Sequence, residues 1–117
     1  MSKDVVDAVQ AVLAEEDEAD DALRRVVAIV HDRIEPVTFA GIAFVEGDDR
    51  VLGPSMGAVS GRHESFAISF RDSEVASLEV AGTELSAADR EALEAVAAAL
   101  GPFCLVGWDI GGEEWVP

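Results

Sequence analysis

The sequence predicts an α+β fold, an antiparallel sheet of four or more strands with N-terminal and C-terminal helices packed on one face. Three observations carry this expectation. Apolar residues recur at helical spacing over the first third of the chain, alternate at a period of two through its middle, and return to helical spacing after a capping sequence at Ser86. At 117 residues the chain suits one domain with one core. Its expected division is helical over 4–35, sheet over 38–82, helix over 86–106 and a tail over 107–117.

The first stripe lies in 4–14, DVVDAVQAVLA, where Val5, Val6, Val9, Val12 and Leu13 share one side of a helix. An acidic run at 15–21 follows without Gly or Pro. A second stripe, Leu23, Val26, Val27, Val30 and Ile34, ends before Pro36. A heptad drawn through both stripes would put Glu16 and Ala19 in its seam, which favours two helices over one continuous one.

Strands are expected at 38–46, 51–59, 63–71 and 74–82. Gly47-Asp48-Asp49-Arg50 turns the first into the second, and Asp72-Ser73 turns the third into the fourth. Phe66, Ile68 and Phe70 share one face of the third strand; Ala76, Leu78 and Val80 share one face of the fourth. The larger side chains are therefore expected toward the helices, and small and polar ones such as Ser69, Ser77 and Glu79 on the opposite face. The last helix begins at Leu85-Ser86-Ala87-Ala88-Asp89, with Ser86 as N-cap and Asp89 near the positive helix end. Leu93, Val96, Ala97 and Leu100 form its inner side, and Gly101-Pro102 ends or kinks it.

Composition excludes several classes of function. Twenty-four acids stand against eight basic residues, a formal net charge of −16. Such a surface repels phosphate backbones and anionic lipid heads, so neither nucleic acid nor a membrane is an expected partner. No apolar run approaches the ~20 residues of a membrane span, and no signal peptide precedes the first helix, which points to the cytoplasm. A lone cysteine, Cys104, supplies neither a disulfide framework nor a cysteine-based zinc site. The acidic run at 15–21 lacks the loop glycine and ligand spacing of a calcium site. Ser55, Ser60, Ser65 and Ser69 form no recognisable triad with His and Asp; Gly53, Gly57 and Gly61 open no helix and so form no phosphate cradle. No metal and no cofactor is expected. His31 is expected on a solvated helix face.

The stretch AVQAVLAEEDEADDALRRVVAIVHDRIEPVTFAGIAFVEGDDRVLGPSMG carries a resemblance. Its Phe39-Ala40-Gly41 and Leu52-Gly53-Pro54, with EVASLEVAG and the capped helix LSAADREALEAVAAAL further on, resemble the small stand-alone GAF proteins that reduce free methionine-R-sulfoxide. The resemblance runs over about residues 9–104, in two pieces, and implies a GAF-like, profilin-like layered sheet. Between the pieces those reductases carry a long lid segment with redox cysteines; here AVSGRHES, residues 58–65, bridges the gap without a cysteine. Cys104 matches no catalytic position of that family. Thiol reduction of a sulfoxide needs an attacking thiolate and usually a second thiol to resolve, so no enzyme is expected. Of the pocket residues the resemblance implies, only Phe39 and Glu79 keep comparable chemistry; Ala43 and Ala81 replace an aromatic and a carboxylate.

Two readings follow. The first is a non-catalytic, dimeric protein-interaction or regulatory module. The second is a small-molecule sensor with a reduced pocket near Phe39, Met56, Arg62, His63, Ser69, Ser77 and Glu79. The lost lid favours the first, since a small ligand is normally enclosed. A homodimer through the N-terminal and C-terminal helices is expected, because the stripe of Val5, Val9 and Val12 looks too large for one small core. The tail, with Trp108, Ile110, Trp115 and Val116, is expected to fold back onto the domain or a partner.

Overall fold

The computed structural model describes residues 2–15, 18–46, 49–70 and 72–104. They form helices α1 (Ser2–Glu15) and α2 (Ala19–Arg33), strands β1 (Val37–Glu46), β2 (Asp49–Gly57), β3 (Arg62–Phe70) and β4 (Ser73–Gly82), then α3 (Ala87–Leu100) and a 3-10 turn, Gly101–Cys104. The tail at 107–117, with both tryptophans, lies outside the described residues. The four strands make one antiparallel sheet in the order β2-β1-β4-β3, so the two central strands, β1 and β4, pair with each other.

The period-2 reading explains which side chains meet the helices. Ala40, Ile42 and Phe44 of β1, Phe66 and Ile68 of β3, and Ala76, Leu78 and Val80 of β4 all face them. Leu23, Val26, Val27 and Val30 of α2 and Leu93, Val96 and Leu100 of α3 complete this core. Each such aliphatic side chain removed from water is worth about 1.5–3 kcal/mol. Helix α2 lies on β1 and β2, and α3 on β3 and β4.

Helix α1 forms a third layer, packed on α2 and α3. Its stripe is absorbed within the single chain: Val5, Val9 and Val12 are 2%, 1% and 4% exposed. The expectation that these valines form a dimer seam is corrected here. Two short helices leave a cleft above the sheet, and a third helix fills it.

Each of the three strand pairs carries one register shift, and two of these shape the site. In β2 the pairing changes between Gly41 and Ala43, so Gly53 and Pro54 together oppose Ile42. Pro54 has no N–H to give to the ladder, and the ring of Phe44 sits only 2.3 Å from where a Cβ on Gly53 would be. The Leu-Gly-Pro kink is thus one strand stepping over a neighbour's aromatic ring. In β4 the pairing to β3 shifts between Ile68 and Ser69, leaving Val75 as the extra residue.

Local polar contacts close the ends. Ser86 Oγ accepts from the backbone N–H of Asp89 at 3.0 Å, and the Asp89 carboxylate accepts from Ser86 N–H at 3.2 Å, completing a capping box. Arg90 donates twice to Glu64, at 2.9 and 3.3 Å, tying α3 to β3. Those hydrogen bonds and the Glu64 charge hold the guanidinium above its ordinary pKa. His31 is half-buried rather than solvated. Its ring lies against Gly57, whose φ of +92° and lack of a side chain permit the approach, and its Nδ1 lies 2.9 Å from Asp32.

Candidate functional site on the second sheet face

The face turned away from the helices is built from alternate residues of all four strands. β4 contributes Ser77, Glu79 and Ala81; their neighbours on β1 are Ala43, Gly41 and Phe39, and on β3 Ala67, Ser65 and His63. β2 adds Ser55 opposite Gly41, Leu52 opposite Ala43 and Arg50 opposite Val45. The centre is closed: Glu79 and Ser77 are each 2% exposed. The edge on β3 is open, with Ser65, Ala67 and Ser69 exposed.

Glu79 is the hub. Its Oε1 lies 2.6 Å from His63 Nε2 and accepts from Ser65 Oγ at 2.6 Å, while Oε2 accepts from Ser77 Oγ. Arg50 reaches across β1 to donate to Ser77 Oγ at 2.9 Å and to the Glu74 carboxylate. A chain of five polar contacts therefore runs from Glu74 through Arg50, Ser77 and Glu79 to Ser65 and His63. A buried carboxylate is tolerated because donors surround it.

Next to the hub, Phe39 lies over the backbone. A Cβ on Gly41 would meet Ser55 Cβ at 3.0 Å, the tip of the Phe39 ring at 3.1 Å and Leu52 Cδ1 at 3.2 Å. The ring thus occupies the shallow space that the glycine leaves above the sheet, with Ser55 and Leu52 at its rim.

The structure brings together four of the seven residues expected to line a pocket: Phe39, His63, Ser77 and Glu79. Ser69 shares the face but stands at its far end, opposite Glu74. Met56 is opposite Ala40, which belongs to the helix side, so the bulge at Gly53-Pro54 turns it away from the others. Arg62 is exposed, two residues before the helix-facing pair Glu64 and Phe66, and forms an ion pair with Glu84 at 3.8 Å. Arg50, Ser65 and Glu74 belong to the network although sequence reasoning did not single them out. Ser65 was findable, since it stands at i+2 from His63 on an alternating strand. Arg50 was not, because its turn-like setting hid that it lies at the start of β2 and reaches across β1 to β4.

The arrangement limits the chemistry. Both serine hydroxyls donate to the Glu79 carboxylate, which is not the serine-to-imidazole contact of a nucleophilic triad. The one thiol, Cys104, is buried behind α3, and burial pushes it up to about 12. At neutral pH it is protonated and inert.

No family model matches the sequence, and no curated protein matches it. Solved structures do. The GAF domain of an Acinetobacter phosphoenolpyruvate-protein phosphotransferase superposes with a TM-score of 0.76 at 14% identity, covering 90% of this chain and 93% of that one. The fRMsr of Staphylococcus aureus in complex with its substrate gives 0.72 at 14% identity, covering 88% and 95%. The GAF domain of A. aeolicus nlh2 in an inactive state gives 0.69 at 12% identity, covering 87% and 94%. At such identities the likeness establishes the fold: this chain has the GAF fold, with a four-stranded antiparallel sheet and three helices.

Proposed function

We propose that this GAF-fold chain is a regulatory module that works through protein contacts and catalyses nothing. One observation carries the reading: the polar groups of the second face are bonded to one another, with both Glu79 oxygens taken by His63, Ser65 and Ser77, and Arg50 taken by Ser77 and Glu74. A ligand entering there would have to replace bonds already made, at about 1–3 kcal/mol for each buried partner left without one. The buried thiol supports the same reading, because sulfoxide reduction requires a reactive thiolate and Cys104 is neither ionised nor exposed at neutral pH. The similarity to fRMsr therefore extends to the fold and not to its reaction.

The test has two arms. Purified protein with a dithiol reductant should leave free methionine-R-sulfoxide unconsumed; turnover lost in Cys104→Ser would overturn the non-catalytic reading. Thermal unfolding against a panel of metabolites should leave the midpoint unchanged. The second reading, a small-molecule sensor, draws on the exposed row Ser65, Ala67 and Ser69 beside the buried hub. It requires a midpoint that climbs with ligand concentration.

A further inference from the structure

A groove of about 400 Å³ runs between α1 and α2. Ala8, Ala11 and Val12 of α1 and Ala28 and Ile29 of α2 line it, with Arg25 and Arg33 at its rim and Glu15 beside Arg25 at 3.7 Å. The alanines make it concave: three small side chains lie where larger ones would have filled the space between the helices. From Arg25 to Arg33 is eight helical residues, roughly 12 Å, the length of two helical turns.

The charges single out one end. Arg24, Arg25, Arg50, Arg62 and Arg90 each hold a carboxylate. Arg33 holds none among the described residues, in a chain with 24 acids to choose from. It is the exposed cation at the mouth of the apolar groove. We propose that this groove docks an amphipathic helix of a partner protein, whose apolar stripe sits on Ala8, Ala11, Val12, Ala28 and Ile29 and whose one inward carboxylate meets Arg33. Two turns of helix place stripe residues at i, i+3 or i+4 and i+7, which matches the groove's length and apolar floor. The flanks of that helix are basic, because the domain around it carries a net charge of −16 and attracts cations at long range.

A second copy of this chain fits the groove poorly. Around a two-fold axis the groove would face itself, concave against concave. The exposed large apolar residues of the described surface, Met56 at 40% and Val59 at 52%, belong to the end of β2 and the loop after it. Seating them in the groove would join unlike patches, a heterologous contact that gives a ring or a filament and never a two-fold dimer.

This proposal rests on the protein-contact reading above and names the partner's chemistry. The test is a display library of helical peptides with a fixed apolar i, i+3, i+4, i+7 stripe and randomised flanks, selected on the intact chain. Enriched peptides should carry a carboxylate at one end of the stripe and basic flanks. Ala11→Trp fills the groove from an exposed position, so the domain should fold with an unchanged midpoint while peptide binding falls at least tenfold. Arg33→Glu should weaken the same peptides about tenfold, and peptides with that carboxylate changed to lysine should regain the loss. The proposal is overturned by a library without binders, by binders indifferent to the acid or to Ala11→Trp, or by a dimer in the unmodified protein that Ala11→Trp separates. Failure of this kind leaves the metabolite arm above unaffected, so the groove and the non-catalytic reading fall separately.

Discussion

Glu79 sits where a carboxylate is costly, and its neighbours decide whether it stabilises the fold. Glu79→Ala would leave His63, Ser65 and Ser77 without the acceptor they share, while Arg50 would keep both of its partners, Ser77 and Glu74. The expected loss is about 2–4 kcal/mol by urea unfolding, against about 1 kcal/mol for Ser65→Ala, whose hydroxyl stands at the exposed edge. Equal losses in the two variants would mean that the network does not act as a unit around Glu79. Cys104 gives a second residue-scale prediction, through pH. Its thiol ionises near 9 in the unfolded chain and is pushed up to about 12 when folded, so the folded state holds the proton more firmly. Its contribution is fully present below pH 9 and is lost as pH rises toward 12. Cys104→Ala should flatten that part of the stability curve, and native protein at pH 8 should resist alkylation until it is unfolded.

At the scale of elements, what could be read in advance depended on whether the signal was local. The start of α3 was legible because a capping box needs only Ser86 and Asp89, three residues apart, and the structure closes both of its hydrogen bonds. Ser86→Ala should cost about 1 kcal/mol, measured as a lowered denaturation midpoint with an unchanged slope. The break between α1 and α2 was legible too, from Glu16 and Ala19 falling in a would-be seam. Register was not. If β3 and β4 paired without interruption from Phe70 opposite Ser73, Glu79 would stand opposite Glu64, two like charges across one ladder. The extra residue at Val75 moves Glu79 opposite Ser65 instead, and the polar network exists because of that one-residue step. Nothing in the local sequence marks Val75 as a bulge. The same holds at Gly53-Pro54, where composition suggested a kink but only the pairing shows that it sends Met56 to the helix side. The candidate site was therefore half legible: its inward strand residues followed from alternation, and its long-range donor, Arg50, did not.

For the whole molecule, the fate of α1 decides between a helix that belongs to the core and one that waits for a partner. The sequence suggested the second, since a valine stripe on a helix preceding the sheet looked like surplus apolar area. Its burial against α2 and α3 makes it the first. Val9, at 1% exposure, then predicts a different outcome for Val9→Glu than a dimer seam would. A seam residue made charged separates two folded subunits and leaves each with its own midpoint. A core residue made charged forces an ionisable group into an apolar layer, which costs several kcal/mol, a large part of the roughly 5–15 kcal/mol that holds a domain of this size together. The helix must then detach or the chain unfold. The net charge of −16 adds to that strain, because acids spread over a small surface repel one another until salt screens them. Unmodified protein should therefore gain stability as sodium chloride rises from about 0.05 M to 1 M, where the screening length shrinks from over 10 Å to about 3 Å. Val9→Glu should be mostly unfolded at low salt by circular dichroism and regain only part of its helix at high salt, since screening relieves the surface but not the buried charge. A variant that keeps full helicity and an unchanged midpoint at low salt would place Val9 outside the core and return α1 to the surface.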